Sequence, residues 1–428
     1  MNDGLDVVRG DVSVRDGRIA AVGAHVDGTH TRTLDAAGAY LLPGLIQTHI
    51  HLCQTLFRGR ADDMPLMQWL RTRIWPLEAA HTPSTLAAAA RLAATELLLS
   101  GTTAILTMET VHDTDAVCEA IAASGVRATI GKCMMDANPE VPPRLRERTQ
   151  ASVDESIALI RRWHGAANGR IRVAFAPRFA VSCSPALLEA VAHHSAELQA
   201  LVHTHASESP EEIEIVRTLS GGRSNIAYLD ALKLATPRLC TAHCVWVDEH
   251  EQALLAERDV KVMHCPGSNL KLGSGLAPVT ELRRRGVTVS LGADGAACNN
   301  RLDMFEEMRL AALVQAVRLG PGALPAREVL SMATRAGAHT LGLDAEIGSI
   351  EVGKRADLIL VDRQGPHTAP DPDPYSTLVY ATRGSDVRTT VVDGELLVHE
   401  GLPIRVSTAE IRAEADTAAR ELAARSGV

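Results

Sequence analysis

Aromatic residues are scarce in this chain: four Phe, four Tyr and four Trp make up 3% of its 428 residues. So thin a supply disfavours a surface that stacks the bases of single-stranded nucleic acid. Net positive charge is missing too. The formal charge is -9, whereas a phosphate backbone is gripped by clustered Lys and Arg. No nucleic-acid partner is expected. No apolar run reaches the ~18–20 residues that a membrane span requires. The opening stretch MNDGLDVVRGDVSV has neither the basic n-region nor the apolar h-region of a secretory leader, so a cytoplasmic protein without a membrane partner is expected. The eight cysteines (Cys53, Cys118, Cys133, Cys183, Cys240, Cys244, Cys265 and Cys298) show no CxxC spacing. Reduced, mostly buried thiols follow.

What is present is a globular composition, 46% hydrophobic and 22% charged, with Ala, Leu and Val filling the core. The length exceeds what one ordinary core holds, so a large domain with a satellite is expected. Both chain ends read as short strands broken by turns. Near the start, Val12–Val14 and Ile19–Val22 flank Asp16-Gly17. In the tail, Ala356–Val361 precedes Val387–Val392, which is followed by the turn Asp393-Gly394 and by Leu396–Val398. Between the ends, short strands alternate with helical stretches such as Pro83–Ser100 and Ser184–His194, the mark of parallel βα units. Eight strands are predicted: Leu41–Thr48, Thr103–Thr107, Arg127–Lys132, Ile171–Ala176, Ala200–His203, Leu239–Ala242, Val260–Met263 and Val287–Leu291. Eight such units predict an α/β fold, a closed (β/α)8 TIM-type barrel over residues 44–345 with catalytic groups at the C-terminal ends of its strands. Residues 1–43 and 346–428 are expected to form a small β-sandwich, with a helix at the very end.

Polar residues stand where the predicted strands stop. The first ends in His49-Ile50-His51, whose i, i+2 spacing lets two imidazoles share one metal. The fifth ends in His203-Thr204-His205, with Glu208 following; the sixth ends in His243, the seventh in His264 and the eighth in Asp294. A lone histidine is more often a hydrogen-bonded or surface residue than a ligand. Histidines or carboxylates at the ends of strands one, five, six and eight together argue for a site. His25, His30, His81, His112, His164, His250, His367 and His399 lie off this pattern and are expected at the surface.

The segments PGLIQTHIH, HTHASE, AHCVW, HCPGSNLKLGSG and GADGAACNNRLDMFEEMRLAAL, with GSIEVGKRADLILVD in the tail, resemble the amidohydrolase superfamily. More narrowly they resemble the branch holding the methylthioadenosine/S-adenosylhomocysteine deaminases, guanine deaminase and the triazine hydrolases. The resemblance implies a metal site of His49, His51, His205 and Asp294. His203 competes with His205, and the family spacing HxxE, ending at Glu208, selects His205. The same resemblance makes Glu208 the proton shuttle, while His243 and Asp294 take a proton from water and orient it. Three neutral imidazoles and a carboxylate leave an open position for water, as a catalytic metal requires. Two-metal members carry a carboxylated lysine after strand four. Here that strand ends in Ala176-Pro177-Arg178, with no lysine between Lys132 and Lys233, so one divalent ion is expected. Zinc is the first choice; iron(II) and manganese suit the same donors. His264 and Asn269 are expected to support the ligands from behind.

For the substrate, the resemblance points two ways. Glu78 falls where adenosine-processing members carry a glutamate to the ribose hydroxyls. Gln54 and Arg178 match the guanine-deaminase pattern, in which an amide and a guanidinium hold the edge of the base. SNLKLGSG and NNRLDMFEEMRLAALVQ are closer to the methylthioadenosine/S-adenosylhomocysteine group. The implied activity is hydrolytic deamination of a small amino-substituted purine-type ring, either a guanine- or pterin-like base or an adenosine derivative, with release of ammonia. A triazine hydrolase displacing chloride or an alkylamine is the alternative, and a non-catalytic barrel scaffold is a second. The resemblance further implies a homo-oligomer. Family members carry one more strand before the segment matching Asp6–Val14, which leaves a sandwich edge open to solvent or places the start upstream.

Overall fold

The computed structural model describes residues 1–29, 31–36 and 38–428. The first hairpin pairs β1 (Asp11–Arg15) with β2 (Arg18–Gly23) around Asp16-Gly17, both of which sit at positive φ (51° and 75°), as a tight hairpin turn demands. The predicted strand at residues 41–48 is in fact two. β3 (Tyr40–Pro43) belongs to a small sheet and β4 (Leu45–His51) to the barrel, with Gly44 at the break. A Cβ on Gly44 would lie 2.0 Å from Thr103 Oγ1, so no side chain fits where the chain crosses between the sheets.

The barrel continues through β5 (Thr102–Met108), β6 (Arg127–Met134), β7 (Ile171–Pro177), β8 (Val202–Ala206), β9 (Leu239–His243) and β10 (Lys261–His264), all parallel to their neighbours. The eighth position is split. β11 (Val289–Leu291) pairs with β10, and β12 (Asp294–Gly295) pairs with β4, which closes the ring. Several strands outrun their predicted ends: the first includes His49 and His51, the sixth His243 and the seventh His264. Apolar patterning stops where the ladder does not, because the last rungs carry the polar site. Below them Ile46, Ala104, Leu106, Ala174, Ala242 and Met263 form one buried cluster, so the barrel is a packed core rather than a pore.

Outer helices begin as their sequences direct. Pro83–Leu99 is capped by Thr82 and Thr85 reciprocally, and Pro185–Leu198 by Ser184. The chain ends combine. β13 (Leu358–Val361), β14 (Val387–Val392), β15 (Glu395–His399) and β16 (Leu402–Pro403) form an antiparallel sheet that recruits β3 beside β13. The first hairpin joins the tail through a bridge between Arg18 and Arg355. The terminal helix Thr408–Ser426 packs on Pro83–Leu99, with Arg91 paired to Glu414. All eight cysteines are free and buried. Among the described residues no helix is long and apolar enough to cross a membrane. One histidine expected at the surface is not there. His81 is buried, bonded to the Cys53 carbonyl and the Thr85 hydroxyl at 3.0 Å each, and burial holds its pKa down near 3. His30 lies outside the described residues.

Candidate metal centre and its pocket

The ends of three strands, β4, β8 and β12, bring His49, His51, His205 and Asp294 together, with one donor atom from each within 4.8 Å of all the others. The β4–β5 ladder shifts register between Gln47 and Ile50, and both β4 imidazoles reach one oxygen: His49 Nε2 and His51 Nε2 each lie 3.2 Å from Asp294 Oδ1. His51 Nε2 is also 3.2 Å from His205 Nε2. The far nitrogens are spoken for. His51 Nδ1–H donates to the Met108 carbonyl and His205 Nδ1–H to the Arg178 carbonyl, both at 2.7 Å. That fixes the tautomer and leaves each Nε2 lone pair facing the common centre. His49 Nε2 is buried without a hydrogen-bond partner, an orphan that a cation would satisfy. The donor set fits a divalent metal ion.

His203, the competitor, does not join the four. It stands behind His49, with Nε2 2.6 Å from His49 Nδ1, and is fully buried. Burial followed by the neighbouring imidazoles lowers the pKa of both His203 and His205 well below the usual value. Burial also opposes charge on Asp294, yet His49 and His51 outweigh it and hold the carboxyl well below its ordinary range. Neutral imidazoles around an ionised carboxylate are the protonation states that metal ligation requires.

On the pocket side of this cluster stand Glu208 and His243. His243 Nε2 lies 3.4 Å from Glu208 Oε2 and 3.8 Å from Asp294 Oδ2. Its other nitrogen donates to Asn269 Oδ1 at 2.8 Å. Burial pushes the Glu208 carboxyl up to about 7, and Ser274 Oγ donates to it at 3.1 Å. Asn269 is therefore placed where a support for His243 belongs. His264 is not seen to do the same: it is buried with neither ring nitrogen hydrogen-bonded. Ser268, between the two in HCPGSN, instead donates to Asp294 Oδ2 at 2.7 Å.

Gln54, Glu78 and Arg178 meet one another. Gln54 sits on the short helix Leu52–Phe57, Glu78 on Trp75–Ala79 and Arg178 just beyond β7. Arg178 clamps Glu78 with Nη1–Oε2 at 2.5 Å and Nη2–Oε1 at 3.1 Å, and Gln54 Nε2 donates to Glu78 Oε1 at 3.0 Å. Gln54 Oε1 is buried without a partner. Arg71, seven positions before Glu78, pairs instead with Glu140 and Glu211. The cavity beside the metal cluster is lined by Gln54 and Arg178 of this trio together with Leu66, Trp69, Leu70, Phe179 and Leu272, whereas Glu78 lies behind the first two and is not among its lining residues. Of these apolar residues, Phe179 and Leu272 carry no sequence signal, since only their place in space sets them apart from core.

The chain that carries this cluster has counterparts among known proteins. The amidohydrolase family model matches residues 40–397. The 5'-deoxyadenosine deaminase of Methanothermobacter thermautotrophicus is 43% identical over 401 residues, 93% of this chain and 91% of that protein. The 5-methylthioadenosine/S-adenosylhomocysteine deaminase of Desulforudis audaxviator is 40% identical over 418 residues, covering 96% and 95%. Among solved structures, an adenosine deaminase from Xanthomonas campestris with bound zinc superposes with a TM-score of 0.89 at 35% identity, covering 96% of this chain and 93% of that one. By its matched span, its relatives and its barrel with this donor cluster, the chain belongs to the amidohydrolase family.

Proposed function

We propose that this chain is a mononuclear metal-dependent deaminase of an adenosine derivative, releasing ammonia from the 6-position of the ring. The observation that carries the reading is Glu208: a buried carboxyl whose pKa sits near 7, 3.4 Å from His243 and facing the donor cluster. An amine is a poor leaving group until protonated, and a carboxyl poised near neutrality can both hold and give the proton. Chloride, unlike an amine, departs from a triazine without a proton of its own. The names of the relatives, all adenosine derivatives, supply the ring.

His49, His51, His205 and Asp294 would hold a divalent ion, with zinc as our assignment, and when bound it would supply the Lewis acidity that activates water at neutral pH. His243, fixed by Asn269, orients that water and takes its proton together with Asp294. Glu208 delivers a proton to the ring nitrogen beside the attacked carbon and then to the departing amine. Gln54 and Arg178 line the pocket and are held by Glu78 behind them, so Glu78 acts on the substrate through these two, while Trp69, Leu66 and Leu70 line the pocket and exclude water.

A second reading keeps one specific support. The unpartnered Gln54 Oε1 beside Arg178 suits a ring edge that offers an N–H and an oxo group, as guanine does. Ammonia release from 5'-deoxyadenosine, methylthioadenosine, S-adenosylhomocysteine, adenosine, guanine and isoxanthopterin separates the two. Turnover confined to the adenosine set is expected; turnover of guanine alone replaces the substrate assignment, and no release from any compound sinks the deaminase reading. Within the active set, Glu208→Gln is expected to keep its metal and lose at least ~100-fold in kcat, the ordinary worth of a positioned acid.

A further inference from the structure

Three buried carboxylates near the centre take no part in the chemistry above. We propose that Glu109, Glu212 and Glu307 are positioning residues, each gripping the backbone or loop that carries reacting side chains into place. Glu109 follows β5 and accepts the Leu52 and Cys53 N–H groups at 3.3 and 3.0 Å, together with the Thr107 hydroxyl. It thereby sets the path from His51 into the turn that bears Gln54. Glu212 accepts from Ser207 N, Glu208 N and Ser209 N at 3.2, 2.7 and 3.4 Å, and from Asn225 Nδ2 at 2.6 Å. The backbone of the acid Glu208 is held by this one side chain.

Glu307 accepts from Gly267 N at 3.0 Å and from Asn299 Nδ2 at 2.7 Å, and the same amide donates to the Ala293 carbonyl at 2.7 Å. This ties the HCPGSN loop, source of Ser268 and Asn269, to the strand that delivers Asp294. Gly267 admits no side chain: its Cβ would stand 2.5 Å from Glu307 Oε1.

Each of the three is at most 1% exposed, and among the described residues no lysine or arginine is one of the strongest influences on its charge. Glu251, buried and accepting the Ile226 and Asp248 N–H groups away from the centre, has the same surroundings, so the backbone that each acid holds is what sets the three apart. Burial raises all three carboxyls, and convergent N–H donors offset that cost. A buried acid kept for stability alone is normally paired with a cation. Here the compensation comes from backbone adjoining His51, Glu208 and the support of Asp294 and His243. Glutamine cannot replace these acids quietly, because every oxygen faces a donor and its amide group would face one too.

The kinetic part of the test rests on the deaminase reading; the metal part does not. Glu109→Gln, Glu212→Gln and Glu307→Gln would be loaded with cobalt(II), and visible spectrum, metal affinity, melting temperature, kcat and KM measured on the full chain. Glu109→Gln and Glu307→Gln are expected to shift the cobalt bands and weaken binding about 10–100-fold, the usual cost of losing an outer partner of a ligand. Glu212→Gln is expected to hold cobalt as the parent does while kcat falls about 10–100-fold and KM stays level. Should these variants fail to fold, Thr107→Val, Asn225→Ala and Asn299→Ala each remove one anchoring donor; the same changes are expected at about 2–10-fold, the worth of one hydrogen bond. A lowered melting temperature with spectrum, affinity and kinetics unchanged marks plain structural acids and overturns the proposal. A parent that deaminates nothing overturns the deaminase reading, and the cobalt measurements on Glu109 and Glu307 still decide this one.

Discussion

At the residue scale, the reacting groups are held in backbone conformations that their side chains resist. Ser207, His243, Cys244 and Asp294 all have positive φ (56°, 73°, 45° and 62°) without being glycine. Left-handed backbone costs a non-glycine residue about 1–3 kcal/mol, and at His243 and Asp294 it belongs to side chains that line the cavity. The same confinement raises Glu208. With the carboxyl pushed up to about 7 by burial, its protonated form dominates below neutrality and disappears above it. Protonation of the ring needs that form, so kcat/KM is expected to fall on the alkaline side with a midpoint near 7. A pH–rate profile checks this, and a rate still rising through pH 8 would contradict the role given to Glu208. Metal dependence is argued at the same scale. His205→Ala removes one of four donors and leaves His51 Nε2 without its neighbour, so less than a tenth of the parent's metal is expected after dialysis, read by elemental analysis. Imidazoles and a carboxylate recurring at strand ends made a site legible in the sequence, and the family resemblance chose His205 over His203 within it. Their supports were not: His203 reaches His49 across 154 positions and Ser268 reaches Asp294 across 26, distances over which no local pattern carries information.

At the element scale, the eighth strand decides whether the site exists. β11 and β12 belong to one stave broken at Gly292, whose N–H donates to the His264 carbonyl at 3.0 Å. A Cβ there would stand 2.5 Å from the His49 carbonyl oxygen and 2.7 Å from its nitrogen. The glycine lets strand eight pass against strand one, which brings Asp294 to His49 and His51. Gly292→Ala must push these strands apart. Overpacking a close contact costs about 1–3 kcal/mol, and because the displaced backbone is that of a ligand, metal affinity is expected to fall with stability. Denaturation midpoints and metal titration of the same preparation test this; a variant that loses stability but binds metal as the parent does would refute the coupling. Strand count and order were readable from apolar runs of the right length. The break in strand eight and the crossing at Gly44 were not, since both depend on what lies opposite: His49 in one case, Thr103 in the other.

At the scale of the whole molecule, chemistry and cohesion sit at opposite ends of the barrel. The donor cluster occupies the C-terminal ends of the strands, whereas Arg127 opens β6 at the other end. Its guanidinium clamps Asp357 with Nε–Oδ2 at 2.7 Å and Nη2–Oδ1 at 3.0 Å, both residues only 3% exposed. Asp357 also accepts the Asp393 N–H at 2.8 Å, so this buried pair joins the barrel to the sheet made from the chain ends, with Asp393 3.6 Å from Arg127 and 3.9 Å from Arg170 beside it. Removing one partner strands the other charge in a dry interface. Arg127→Met is therefore expected to cost about 3–5 kcal/mol in urea unfolding, whereas Arg127→Met with Asp357→Leu recovers most of that loss, since apolar pairs of similar volume replace buried ion pairs at little cost. Metal content and kcat/KM of the folded fraction should stay within about twofold in both, because barrel enzymes keep stability at one face and catalysis at the other. Loss of metal at unchanged stability would show that the two ends are coupled and would refute this division.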